Sequence, residues 1–136
     1  MAVAYASCMI FVASLYHLPP RILPSILAVE NGQSGLVHHN SNRTDDLGLM
    51  QVNTRWVQPI AQFTHAAPEL VYRRLLTQPC YNISAAGAIM RLYLNETHGD
   101  LMRAIGNYHS HTLTLNLAYQ QRVLGSARRL FQPLHP

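Results

Sequence analysis

The sequence predicts a mainly α-helical domain set around one short loop or β-hairpin. Three observations lead to that reading. Apolar residues recur at helical spacing in several separate stretches. Prolines fall near the starts of stretches, where a helix tolerates them. One tract, residues 33–46, is polar and rich in Asn, Ser, His and Asp, the composition of a turn-bearing segment.

Met9 to Tyr16 places Ile10, Phe11 and Ala13-Ser14 at helical offsets and stops at Leu18-Pro19-Pro20. A second helix is predicted just after that pair, carried by Ile22, Leu23, Ile26, Leu27 and Val29. Pro24 belongs to its opening turn, because an interior proline would break it. Asn31-Gly32 supplies the stop, which puts Glu30 in the last turn. Beyond the polar tract, Leu47 to Val57 reads as a turn followed by helix. Pro59 and Ala66-Ala67-Pro68 punctuate the middle, and Pro68-Glu69-Leu70 opens a helix to about Leu76. Asn82-Ile83-Ser84 leads into a helix over Ala85 to Leu94, and Gly99-Asp100 closes that connection. Leu101 to Tyr108 is predicted as a short helix, 109–114 as a polar loop, and Leu115 to Phe131 as a final amphipathic helix. With 136 residues and no internal repeat, one domain over 1–136 is expected.

Composition narrows the classes. Apolar residues make up 49% and charged residues only 12%, which excludes a disordered chain. The formal net charge is +4 and every Lys/Arg position is arginine. That balance suits an anionic partner such as a cell-wall polymer, a membrane surface or nucleic acid. A nucleic-acid patch would cluster its cations; here they are scattered apart from Arg73-Arg74 and Arg128-Arg129, so no nucleic-acid partner is expected. No stretch reaches the roughly 18–20 apolar residues of a membrane span. Met1 to Tyr16 is apolar without the basic start of a signal peptide, while Ala4-Tyr5-Ala6 has the form of a signal-peptidase site before Ser7-Cys8. The stretch reads either as the tail of an export signal behind an added Met1 or as the first core helix. Cys8 and Cys80 have neither metal-ligand nor Cys-x-x-Cys spacing, and at this level a disulfide and two buried thiols are equally open.

Glu30 ends an otherwise apolar helix. Partial burial and the negative end of the helix dipole both disfavour a carboxylate there, as a general acid near neutral pH requires. The ordinary alternative is an exposed glutamate at a helix end, and position alone favours it. The next segment changes the balance. Asp46 lies sixteen residues beyond Glu30 and is followed by Gly48-Leu49-Met50-Gln51-Val52-Asn53-Thr54-Arg55-Trp56. A carboxylic acid on a helix followed by a polar hairpin with a second carboxylate is an arrangement used in glycoside cleavage. Gln51 and Asn53 are amides able to meet acetamido and hydroxyl groups of a sugar. Trp56 offers a flat apolar face to a ring or to the core.

Gly48-Leu49-Met50-Gln51-Val52-Asn53 resembles the Gly-Leu-Met-Gln motif of soluble lytic transglycosylases. The spacing from Glu30 resembles that of the family's catalytic glutamate, and Ala104-Ile105-Gly106-Asn107-Tyr108-His109-Ser110 resembles its third motif. Tyr119, within Leu117 to Leu124, resembles its late tyrosine motif, and Pro79-Cys80-Tyr81-Asn82-Ile83 and Leu18-Pro19-Pro20 are similar to segments of its small members. Those members accompany conjugation, type IV secretion, pilus and type III secretion systems. The resemblance runs from about residue 8 to 129, the expected core. It implies a lysozyme-like helical domain of the goose-type lysozyme class and a peptidoglycan substrate cut between N-acetylmuramic acid and N-acetylglucosamine. The cut would be non-hydrolytic, leaving a 1,6-anhydro end, with Glu30 as acid and then base and the 2-acetamido group assisting. It further implies a hydrogen bond from Tyr119 near Glu30, a glycan cleft lined by Met50, Gln51, Asn53, Asn107 and Tyr108, and a Cys8–Cys80 disulfide. The expected protein is a periplasmic monomer with no cofactor, its export signal absent or truncated in this chain, working beside secretion or conjugation machinery.

Two positions depart from the family pattern. Asn31-Gly32 stands where a serine usually follows the glutamate, with Ser34 and Ser41 nearby, and His109 follows Tyr108 where many members have asparagine. The Asp45 to Trp56 segment also resembles the strand and turn of animal-type lysozymes, whose matching aspartate is the second catalytic carboxylate. A hydrolytic muramidase using Glu30 and Asp46 is therefore the alternative, with an inactive glycan-binding scaffold as a third reading. Asp46 could instead be a turn residue capping backbone amides. The eight histidines lack helical ligand spacing, so no metal is expected, although His109 falls inside the third motif. Asn42-Arg43-Thr44, Asn82-Ile83-Ser84 and Asn95-Glu96-Thr97 match the glycosylation pattern by chance.

Overall fold

The computed structural model describes residues 3–132. Met1, Ala2 and the last four residues of the expected 1–136 domain lie outside the described residues. Seven α-helices and a three-stranded sheet make up the described chain: α1 (Ala6–Leu15), α2 (Ile22–Glu30), β1 (Val37–His39), β2 (Asp45–Leu47), β3 (Val52–Asn53), a 3-10 turn (Thr54–Trp56), α3 (Val57–Thr64), α4 (Pro68–Thr77), α5 (Pro79–Glu96), α6 (Leu101–His109) and α7 (Leu113–Phe131). This is a mainly α, lysozyme-like arrangement, as the sequence predicts.

The chain divides into two compact units, one formed by the residues up to Val29 with those from Gly87 onward, the other by Glu30–Ala86. In the first unit α1 buries Met9, Val12 and Ala13, and α2 buries Ile22, Leu23 and Ile26. Pro24 sits in the first turn of α2, where the missing N–H leaves no helical bond unmade. A Cβ on Gly87 would overlap Val12 Cγ1 and press on the Tyr16 ring, so α1 lies directly on the backbone of α5. Arg91, one turn further along α5, donates to the carbonyls of Tyr16 and His17 at 3.3 and 3.4 Å and caps the end of α1. Ser126 of α7 donates to the Ser25 carbonyl of α2 at 2.6 Å. Helix α6 opens on an Asp100 cap whose carboxylate accepts from the Arg103 amide at 3.2 Å.

In the second unit the sheet runs in the order β1-β2-β3, antiparallel throughout, with Val37 opposite Leu47 and Asp46 opposite both His38 and Asn53. The polar tract is thus a hairpin, closed by Asn40 to Thr44 hydrogen bonds. Two boundaries differ from expectation. Leu47 to Val57 is not a turn and a helix: Leu47 ends β2, Val52–Asn53 adds a third strand, and α3 begins only at Val57. Helix α5 starts at Pro79, six residues before the predicted Ala85. The proline was a start signal, and Asn82 lies inside the helix because its side chain is hydrogen-bonded to other segments instead of competing for its own backbone. Cys8 and Cys80 are disulfide-bonded, which the family resemblance implied.

Glycine packing gives a direct test. Gly87→Ala is expected to lower unfolding stability by roughly 1–3 kcal/mol through overpacking against Val12. Gly125→Ala, whose new methyl meets only the Arg129 side chain at 3.5 Å, should be neutral or slightly stabilising. Urea denaturation of the two variants should separate them, and equal midpoints would contradict this packing.

Candidate functional site

Helix α2 ends at Glu30 because Asn31 turns into the left-handed region, with φ 51°. Asparagine tolerates that conformation, so the stop is made by residue 31 and Gly32 is left for another purpose. A Cβ on Gly32 would overlap the carbonyl oxygens of Gly48 and Leu49. The chain leaving Glu30 therefore lies against the backbone of the Gly48–Gln51 turn. Glu30 itself is half-buried, unlike the exposed glutamate of the ordinary alternative.

The Gly48–Gln51 turn is tightly specified. Gly48 has φ 68°, and a Cβ there would overlap the Leu75 carbonyl at the end of α4. Gln51 also takes a positive φ, 53°, and folds its amide back so that Nε2 donates to the Gly48 carbonyl at 2.8 Å. Met50 is fully buried, and its amide donates to Asn82 Oδ1 at 2.7 Å. Asn82 is itself buried, and its Nδ2 donates to the carbonyls of Leu47 and Leu75 at 2.9 and 2.8 Å. One amide thus ties β2, the turn and α4 together.

On the sheet, Asp46 is half-buried and accepts from Asn53 Nδ2 at 3.0 Å, while Asn53 Nδ2 also donates to Thr44 Oγ1 at 2.9 Å. Asn53 Oδ1 accepts from the Arg55 amide at 2.9 Å and caps the 3-10 turn. Asp46 is held across the strands by this side-chain amide. Its neighbour Asp45 pairs with His39 Nδ1 at 2.7 Å on the surface. Trp56 is half-buried with the Arg55 guanidinium 5.6 Å from its ring centre. Ser34 and Ser41 are exposed in the hairpin tract.

The first unit carries the other expected residues. Tyr119 of α7 is buried, and two rings from the end of α6 are near-parallel to it. Tyr108 is nearly parallel to it at 6.5 Å and His109 at 5.0 Å between ring centres. The Arg122 guanidinium sits 5.9 Å from the centre of the same tyrosine ring. Asn107 is buried, with Oδ1 accepting from Asn116 Nδ2 at 2.8 Å. Asn116 Nδ2 also donates to the Ser110 carbonyl at 3.1 Å, and Asn116 Oδ1 accepts from Gln120 at 2.6 Å. A Cβ on Gly106 would overlap the Asn116 amide, so α6 and α7 approach each other at that glycine.

The structure therefore forms two groups. Glu30, Asp46, Met50, Gln51 and Asn53 belong to the second unit, and Asn107, Tyr108 and Tyr119 to the first. Sequence reasoning missed Asn82 and Asn116, which position these groups. The sequence reads Asn82 as a helix entry and a chance glycosylation pattern, although it stands in the Pro79 to Ile83 segment that carries part of the resemblance. Nothing in the local sequence singles out Asn116. Among the described residues no group of three or more His, Cys, Asp or Glu side chains could hold a metal ion.

The chain matches the transglycosylase SLT domain family over residues 7–125. It is also similar to proteins named "Invasion protein IagB" from two strains of Salmonella typhimurium and from Salmonella typhi, at 24% identity over 110 residues. The alignment spans 80% of this chain and 65% of those relatives.

Asn82→Ala removes three buried hydrogen bonds and strands the Met50 amide and two carbonyls. A loss of roughly 2–4 kcal/mol is expected from such unsatisfied groups. Chemical denaturation measures it, and hydrogen exchange should show the Met50 amide losing protection before the helices do.

Proposed function

The chain belongs to the transglycosylase SLT domain family, and from that premise we propose that it is a peptidoglycan lytic transglycosylase with Glu30 as general acid and base. The observation that carries the residue assignment is the junction at the end of α2. There the half-buried carboxylic acid leads through Asn31 into Gly32, packed on the Gly48–Gln51 turn. The substrate is the glycan strand, cut between N-acetylmuramic acid and N-acetylglucosamine. Glu30 protonates the bridging oxygen as the bond to C1 breaks, while the 2-acetamido oxygen shields the developing positive charge. The resulting carboxylate then takes the proton from the 6-hydroxyl of the same muramic acid as that oxygen bonds to C1. The cut consumes no water, the product carries a 1,6-anhydro ring, and Glu30 is protonated again for the next turnover.

In this reading Tyr119 takes the part that the late tyrosine motif has in the family, with Tyr108 and Arg122 against its ring. Tyr108, Gln51 and Asn107 are the glycan-binding residues we assign from the family resemblance. The amides of Gln51, Asn53 and Asn107 already have protein partners, so their support of the sugar runs through the backbone shape they fix. Met50 acts from the core as the prop of the turn. Asp46 positions Asn53 and does not take part in bond cleavage. The disulfide of Cys8 and Cys80 supports an oxidising, extracytoplasmic location. Local opening of the wall for a secretion or conjugation apparatus is the cellular role we assign. It is in keeping with relatives named for invasion. The whole unit 1–136 works as one domain and as a monomer.

Mass spectrometry of the products from purified sacculi tests the reaction. Fragments lighter by one water than the hydrolysis products are expected, and fragments of full hydrolytic mass would reject the transglycosylase. Glu30→Gln should lose essentially all release while keeping its thermal transition; substantial residual release would remove Glu30 from the acid/base role. Asp46→Asn should change the rate mildly, by less than about tenfold. A collapse of activity with that variant would move the reading to a hydrolase with two working carboxylates.

A further inference from the structure

We propose that the outer face of α1 docks on an anionic phospholipid bilayer. Helix α1 contains no charged residue, and apart from Ser7 and Ser14 its side chains are apolar. Its inner face, Met9, Val12 and Ala13, is buried, and Val12 meets α5 at Gly87. The opposite face is not covered by any other part of the described chain. Ile10 and Phe11 are each 66% exposed and Leu15 54%, with Ser7 and Ser14 completing the same stripe at helical spacing. A helix hydrophobic on both sides is the pattern of a buried element, so the outer stripe has the composition of a surface that is covered in use.

Charge selects the cover. The unit that carries α1 holds six arginines against only two acidic residues, Glu96 and Asp100, while the other unit holds four of each. The whole net charge of +4 therefore resides with α1. Among the described residues none of those six arginines is paired with a carboxylate. Arg91 caps the end of α1, and Arg21, at the entry to α2, lies over Phe131 in the last turn of α7, which also carries Arg128 and Arg129. An apolar stripe with unpaired arginines on the same unit matches an interface of acyl chains beneath anionic headgroups. At 10 residues α1 is too short to cross a bilayer, so it would lie in the plane of the surface.

The test uses the full chain and sedimentation with vesicles of phosphatidylglycerol and phosphatidylcholine, with pure phosphatidylcholine as the comparison. Retention on the anionic vesicles is expected, weakening with added salt and nearly absent on the zwitterionic ones. Ile10→Glu/Phe11→Glu should weaken retention by more than about tenfold. Arg128→Gln/Arg129→Gln, on an exposed turn away from the core, should weaken it and flatten the salt dependence even if the first pair disturbs folding. Glu30→Gln should bind like the unaltered chain, which separates this outcome from that of the catalytic reading. Absence of retention, or retention indifferent to both double variants, overturns the proposal. So does a dimer in light scattering that Ile10→Glu/Phe11→Glu dissociates, because the stripe would then belong to a second copy.

Discussion

Everything near the Gly48–Gln51 turn depends on a single buried amide. Asn82 accepts from Met50 and donates to Leu47 and Leu75, and with those bonds it holds a strand end, a turn and a helix end together. A turn of this kind cannot be held by hydrophobic packing alone. Its backbone groups are withdrawn from water and need partners, and a side-chain amide offers both donor and acceptor in one plane. Once the turn is fixed, the carbonyls of Gly48 and Leu49 become a flat surface against which the chain leaving Glu30 can lie. The path of the backbone leaving Glu30 is thus tied to the hydrogen-bond network that fixes the turn.

The first unit solves a similar problem with the same pair of residue types. Helices α6 and α7 approach at Gly106, and the space a methyl would need is taken by the Asn116 amide. That amide then satisfies the buried Asn107 side chain and the Ser110 carbonyl at the end of α6. With the helix ends fixed, Tyr108 and His109 are both left near-parallel to the buried Tyr119 ring. In both units a glycine allows the close approach and an asparagine fills the polar accounts that the approach creates.

Much of the architecture was legible in the sequence. Proline at helix starts, Asn31 at a helix end and the regular return of apolar residues located most helices to within a few residues. The failures have physical causes. Strand β3 is two residues long, too short for an alternating pattern to show. Helix α5 begins before its predicted start because Asn82-Ile83-Ser84 has the composition of an entry, whereas Asn82 is occupied by partners 7 to 35 residues away. Within the candidate site, the sequence does not separate side chains left open from those engaged in the fold. Met50 and Asn53 looked like groups for a sugar. The structure buries the first and engages the second's side chain with Thr44, Asp46 and Arg55. Motif membership reports that a residue matters; only the contacts report whether it matters to chemistry or to shape.

The two glycines at the turn, Gly32 and Gly48, carry an evolutionary consequence. Neither has space for even one carbon, since carbonyl oxygens already occupy the place where it would go. Drift at these positions is closed off by steric exclusion, whatever the protein binds. The stretches most resistant to change in a lineage of such proteins would then be those that fit backbone to backbone. Selectivity could diverge in the side chains around them without the scaffold having to be reinvented.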